Sequence, residues 1–197
     1  MINENVGRAG AQACSGAQNA APEGTLPGAP LVIRSSCAAD VERIMEVIAM
    51  AVAYMKSHGI AQWNDGYPGR EQFLTDIALG ESYVCECHGR IVGTAALSLR
   101  EEPNYLKIYD GQWRSSGPYG VIHRIAVDNA FKGHQVAGAF VDTIEEMCIN
   151  RGIFAVRVDT HRDNRSMRRF LEKHGFAYCG VIHLPDGAPR VAYEKLL

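Results

Sequence analysis

The sequence predicts a mixed α/β fold, with one central sheet of parallel and antiparallel strands flanked by helices. Three observations carry this. From Leu31 onward, short apolar runs alternate with stretches whose apolar residues recur at helical spacing. The runs SYVCEC and RIVGTAALSL flank His88-Gly89-Arg90, a hairpin signal that calls for antiparallel pairing. The run Val121–Val127, a helical stretch and the run FAVRVD follow in succession. Such a strand–helix–strand unit needs a crossover and therefore a parallel pair.

Taken in order, LVIRS reads as a short first strand. Asp40–Ser57 places Val41, Ile44, Met45, Ile48, Val52 and Met55 at helical spacing and stops at His58-Gly59. QWNDGYPG is an aromatic, turn-rich loop, and Glu71–Leu79 a short helix closed by Gly80. The hairpin follows, and then an irregular excursion over Arg100–Gly120 that carries Pro103, Tyr105 and Trp113. Strand Val121–Val127 leads into a helix from about Gln135 to Arg151, with Val136, Phe140, Ile144, Met147 and Cys148 as its stripe. FAVRVD, a helix over Asn164–His174, and the strands FAYCGVI and VAYEKL around LPDGAPR complete the chain.

With 197 residues, 47% hydrophobic and 21% charged, the chain suits one domain with a real core. That domain is expected over 31–197. Residues 1–30 are poor in large apolar side chains and read as a flexible tail. A net charge of −2 gives no basic field for a nucleic acid, and no apolar run is long enough for a membrane span. The order of the first residues does not fit a signal or transit peptide. Cys14, Cys37, Cys85, Cys87, Cys148 and Cys179 are too scattered for a disulfide framework and fit a cytoplasmic protein with reduced thiols. Neither the Cys85/Cys87 pair nor His161, Asp163 and His174 has the spacing of a standard metal site, so no metal is expected. A sheet edge near VAYEKLL leaves a homodimer open.

The turn Phe131-Lys132-Gly133-His134-Gln135-Val136-Ala137 is poor in bulk and rich in backbone N–H. At a helix start, such a turn offers donors and partial positive charge to a phosphorylated ligand. It matches neither the dinucleotide fingerprint nor the P-loop. Taken together, a strand ending in RIAV, this turn, a helix, a strand ending in VDTH, and DN-x-x-M-x-x-F-L-E-K-H-G-F resemble the GCN5-related N-acetyltransferase (GNAT) superfamily. The likeness runs from about Leu31 to Leu197. In that family the turn reads [QR]-x-x-G-x-[GA]; here Lys132 and Ala137 are conservative, and Gln135 stands where Gly is usual.

The resemblance implies acetyl-CoA as co-substrate and a splayed pair of parallel strands that forms its cleft. It places free backbone groups of Ile125, Ala126 and Val127 against the pantetheine. It puts Lys132, Gly133, His134, Gln135, Val136 and Ala137 at the pyrophosphate, and Asn164 at the opposite lip. Asn164 also suits an N-cap, and the two roles are compatible. The tyrosine that the family often uses as general acid is replaced by Leu171, with Tyr178 and Tyr193 as the other candidates.

For the base, IHRIAV resembles the corresponding strand of arylalkylamine N-acetyltransferases, which selects His123. Histidine titrates near working pH and can take the proton of an amine. Glu102 and Glu101 on the excursion are rival bases, while Arg124 is expected on the other face in a structural ion pair. Trp63, Asp65, Tyr67, Tyr105 and Trp113 offer aromatic surface and one carboxylate to an ammonium. The expected activity is direct acetyl transfer to a primary amine, of a small molecule rather than a peptide or protein. A non-catalytic acyl-CoA sensor, or the same fold without CoA, is the alternative.

Overall fold

The strand and helix periodicities translate into β1 (Val32–Ser35), α1 (Val41–Ser57), α2 (Arg70–Ala78), β2 (Ser82–Cys87), β3 (Arg90–Ser98) and β4 (Gly120–Val127). They continue as α3 (Val136–Ile149), β5 (Ala155–Thr160), α4 (Arg165–Lys173), β6 (Ala177–His183) and β7 (Pro189–Leu196). This computed structural model describes residues 30–64 and 66–197. The tail expected over 1–30 therefore lies outside the described residues except for Pro30, as does Asp65. The elements come in the expected order, with ends shifted by a residue or two.

The sheet order is β1-β2-β3-β4-β5-β7-β6, in which β4–β5 is parallel and the other pairs are antiparallel. The β2–β3 hairpin closes as expected. Cys87 faces Arg90, and His88 and Gly89 both take positive φ (51° and 71°), as a tight turn matched to strand twist requires. One expectation is corrected. VAYEKLL is not an edge, because β7 lies between β5 and β6; the outer strands are β1 and β6. The argument for a homodimer through that segment falls with it.

Helices cover both faces. α1 and α2 bring Ile44, Val47, Ile48 and Phe73 onto Val84, Ile91 and Ala126. On the opposite face, α3 and α4 bring Val136, Phe140, Ile144 and Leu171 onto Cys85, Val92, Ile122 and Val158. Gly93 permits the close seating of α3. A Cβ there would lie 2.8 Å from Val136 Cγ1 and 3.0 Å from a Phe140 ring carbon.

Two local features shape the site. The first is a bulge in β4. Thr94 faces Ala126 and Ala96 faces His123, so Arg124 and Ile125 together oppose Ala95, and Arg124 takes a φ of 50°. The extra residue resets the alternation. Val121 packs on the excursion side and Ala126 on the α1/α2 side, while Ile122, Ile125 and Val127 pack toward α3. Arg124 does form the expected ion pair, 2.6 Å from Asp76, but the partner is on α2, so it does not point to the α3 face.

The second feature is the anchoring of the excursion. Glu194 on β7, fully buried, accepts from Arg114 N–H, Ser115 N–H (3.0 Å), Ser115 Oγ (2.6 Å) and Arg157 Nε (2.8 Å). The Arg157 guanidinium in turn stacks over the rings of Trp113 (4.1 Å) and Tyr119 (3.8 Å). A segment with little regular structure is thereby fixed by one desolvated ion pair and its hydrogen bonds.

Candidate active site

Parallel pairing between β4 and β5 is confined to Gly120–Val156 and Val121–Arg157. Beyond that point the strands part and open a cleft of about 1570 Å³, lined by Ile122 through Val127 on one side and by Val158, Asp159 and Thr160 on the other. The side of β4 that faces the gap has no strand partner there, which leaves peptide groups for a ligand.

At the end of β4 the chain turns through Phe131–Gln135 into α3. Gly133 has a φ of 85° and Gln135 a φ of 61°. The usual Gly at this position therefore answers to a backbone need, and Gln135 meets it in the left-handed region at a cost of about 1–2 kcal/mol. The first helical bond runs from Ala139 N–H to the Gln135 carbonyl (2.9 Å). The N–H groups of Val136, Ala137 and Gly138 thus head the helix as unsatisfied donors beside the cleft. Gln135 makes no side-chain cap bond. Because Gly also loses more chain entropy on folding, Gln135→Gly is expected to gain only about 0.5–1 kcal/mol with coenzyme A affinity intact. Thermal melts and titration would check it; a clear loss of affinity would assign the side chain a binding role.

Lys132, Gly133, Gln135, Val136 and Ala137 line the cleft; His134 does not. Its ring is turned edge-on to Phe131, with centroids 6.2 Å apart. Lys132 places its ammonium 4.2 Å from the centre of the Tyr54 ring. Asn164 caps α4, its Oδ1 accepting from Met167 N–H at 3.1 Å, while its Nδ2 donates to Gln62 Oε1 at 3.3 Å. It also lines the cleft.

Several lining residues were not singled out from sequence. Gln62 Oε1 also accepts from Thr160 Oγ1 and His161 N–H, both at 3.3 Å, and so ties the loop after α1 to the end of β5. Arg169 and Lys173 reach the cleft from α4. Their four-residue spacing puts them on one helix face, and that signal was present in RSMRRFLEK.

At the opposite end, His123 and Glu102 come together. His123 Nε2 is 3.4 Å from Glu102 Oε2, both side chains are about one-fifth exposed, and both line the cleft. Glu102 Oε1 is occupied separately, accepting from Asn104 N–H (3.2 Å) and Asn104 Nδ2 (2.7 Å). The bond to His123 holds the Glu102 carboxyl below its ordinary value against the opposing effect of burial. Glu102 is therefore an anion at neutral pH, suited to orienting and charging an imidazole. Glu101 also lines the cleft.

Trp63 and Tyr67 line the cleft, and the Tyr67 hydroxyl accepts from Arg124 Nη1 at 3.1 Å. Tyr105 does not belong to this wall. It is 2% exposed and packs with Val121, Ile182 and Ala192, and its hydroxyl donates to Asp159 Oδ1 at 2.8 Å. Trp113 is held in the same cluster by a bond from its ring N–H to the Tyr105 carbonyl (2.9 Å). Both rings serve to seat the excursion. Leu171 is fully buried between α4 and the sheet. Tyr193 is also fully buried and accepts from Arg168 Nε at 3.0 Å, and neither it nor the exposed Tyr178 lines the cleft. Burial pushes the Cys85 and Cys148 thiols up to about 11, which leaves both protonated and unreactive at neutral pH.

The cleft geometry can be set beside known proteins. The family model described as the GNAT acetyltransferase family matches residues 47–176. A GNAT-family acetyltransferase of Streptococcus agalactiae is 34% identical, with a TM-score of 0.78 over 85% of this chain and 95% of that one. The PaiA N-acetyltransferase of Thermoplasma acidophilum, solved with coenzyme A, shares the fold at 16% identity and a TM-score of 0.65, covering 85% of this chain and 99% of that one. An agmatine N-acetyltransferase does so at 16% identity and 0.63, with the same coverage. No protein of curated function matches the sequence. With the family model spanning most of the chain, and the parted strands and open helix start where such a fold needs them, this chain belongs to the GNAT family and is an acetyltransferase.

Proposed function

We propose that this acetyltransferase transfers the acetyl group of acetyl-CoA directly to the primary amine of a small molecule, with His123 as general base. The observation that carries the reading is the His123–Glu102 pair, set in the cleft where β4 and β5 part. The site fits the co-substrate: an unpaired strand side for its amides, three helix-start N–H groups for its pyrophosphate, and Lys132, Arg169 and Lys173 for its remaining charge. Bound there, acetyl-CoA supplies an activated thioester.

What remains for the protein is proton management and positioning. An alkylammonium has a pKa near ~10.4, so taking its proton at pH 7 costs about 4–5 kcal/mol. His123 accepts that proton, and Glu102 stabilises the resulting imidazolium. The balance is simple: an N–C bond forms, a C–S bond breaks, and ammonium plus thioester give amide, thiol and one proton released to solvent. Cys85 and Cys148, held protonated, offer no covalent alternative. Likeness to an agmatine N-acetyltransferase supports a small amine as acceptor class.

The test is calorimetric titration with acetyl-CoA, followed by thiol release over arylalkylamines, polyamines, amino acids and short peptides. Binding with release on small amines is the expected result. Binding with no release on any amine would make the protein a sensor, and release confined to peptides would move the acceptor to another class.

A further inference from the structure

We infer that the acceptor carries a carboxylate beside its amine, and that Arg190 binds it. The inference rests on the reading of the cleft as an amine acetyltransferase site, and its observations lie on β7. Asp159 of β5 faces Ala192 of β7, so Arg190, two residues along, emerges on the same sheet face as a diagonal neighbour of Asp159. That face is also the one on which Val121 packs with Ala192 and Tyr105. His123 follows Val121 by two residues, upstream of the bulge, and so shares the face. On that shared face His123, Asp159 and Arg190 all line the cleft.

Arg190 is 8% exposed and lines the cleft. Of its five N–H donors, one reaches the carbonyl of Pro189 at 2.9 Å. Among the described residues, no carboxylate comes within ion-pair distance of it. The other cleft arginines on this side differ: Arg100 lies 2.8 Å from Glu81 and Arg124 lies 2.6 Å from Asp76. The nearby carboxyl of Asp159 is taken by the Tyr105 hydroxyl at 2.8 Å. Burial raises that carboxyl above its ordinary value, which weakens it as a counter-ion. His161, the other titratable group that feels Arg190, is itself a base.

The remaining N–H groups of Arg190 are not sealed in the core and open onto the cleft. A carboxylate that enters the cleft meets them, and the planar fork matches it with two parallel bonds. The amine of the same molecule then faces His123 and Glu102. A site with an anion-binder at one side and a base at the other selects an amino acid. A dicationic amine such as agmatine would instead set a second positive charge near Arg190.

The test uses matched pairs that differ only in the carboxylate: arginine against agmatine, phenylalanine against phenethylamine, lysine against cadaverine. Thiol release by the wild-type protein should favour an amino acid over its decarboxylated twin by ~10²-fold in kcat/KM. In Arg190→Gln the KM for the amino acid should rise ~10²-fold and the ratio within the pair should fall to near 1. Arg190→Lys, which keeps the charge and loses the fork, should recover about tenfold of that. Equal use of both twins by the wild type overturns the inference, as does an equal loss on both in Arg190→Gln with coenzyme A binding retained. Release confined to decarboxylated amines sinks this inference and leaves the amine acetyltransferase reading intact. Binding of acetyl-CoA with no release on any amine overturns both. Where Arg190→Gln fails to fold, the wild-type ratio decides.

Discussion

Replacing His123 by Ala is expected to lower kcat/KM by ~10²–10⁴-fold near neutral pH, the usual range for a positioned general base, while acetyl-CoA still binds. The loss should shrink as pH rises toward the pKa of the acceptor amine, because free amine then arrives without help. Glu102→Gln supplies the sharper test. Its carboxyl is held below the ordinary value by the bond from His123, so its contribution to stability is fully present above that ordinary value and is lost as pH falls through the lowered one. Across the assay range Glu102 is thus an anion in the wild type. Removing its charge should move the acidic limb of the kcat/KM profile to lower pH and cut the plateau by about tenfold. A profile unchanged in both variants would mean that the base is another residue, with Glu101 next in line.

The largest effect on stability is expected at Glu194. Glu194→Leu deletes the acceptor of four hydrogen bonds and strands Arg157, 4% exposed, without its counter-ion. Breaking a buried pair from one side costs about 3–5 kcal/mol. Urea unfolding should show this loss. The double variant Glu194→Leu with Arg157→Met should recover part of it, since no uncompensated charge remains. Activity should fall further than folding alone explains, because the released segment is the one that carries Glu102. A Glu194→Leu protein within about 1 kcal/mol of wild type would show that the excursion is held by its aromatic packing instead.

The order of elements was legible because each helix writes its period over several turns and each strand lies between turn residues. α1 shows this best, with five buried side chains on one stripe and a stop at Gly59. The turn into α3 was legible as a donor-rich helix start, and the need for positive φ at its fourth position is met by Gln135. Other matters were not legible, each for a physical reason. Nothing in a hairpin's sequence says which arm lies against the rest of the sheet, so the inner place of β7 is not written in VAYEKLL. An aromatic residue in a loop looks the same in sequence whether it faces a cleft or, like Tyr105, fills the space beneath. A single arginine after a turn is ordinary in sequence, and the burial of Arg190 with no carboxylate beside it among the described residues is visible only in the fold.

The bulge at Arg124 left no mark in the sequence at all, since no glycine announces it. Without it, His123, Ile125 and Val127 would share one face; with it, His123 faces the excursion and the other two face α3. The bulge therefore leaves β4 one residue longer than the stretch of β3 it pairs with. Deleting Arg124 would remove that extra residue and keep Ile125, Ala126 and Val127 on their present faces, at the cost of the Asp76 ion pair. Regular pairing at full length would instead turn apolar groups out of one layer and into the other.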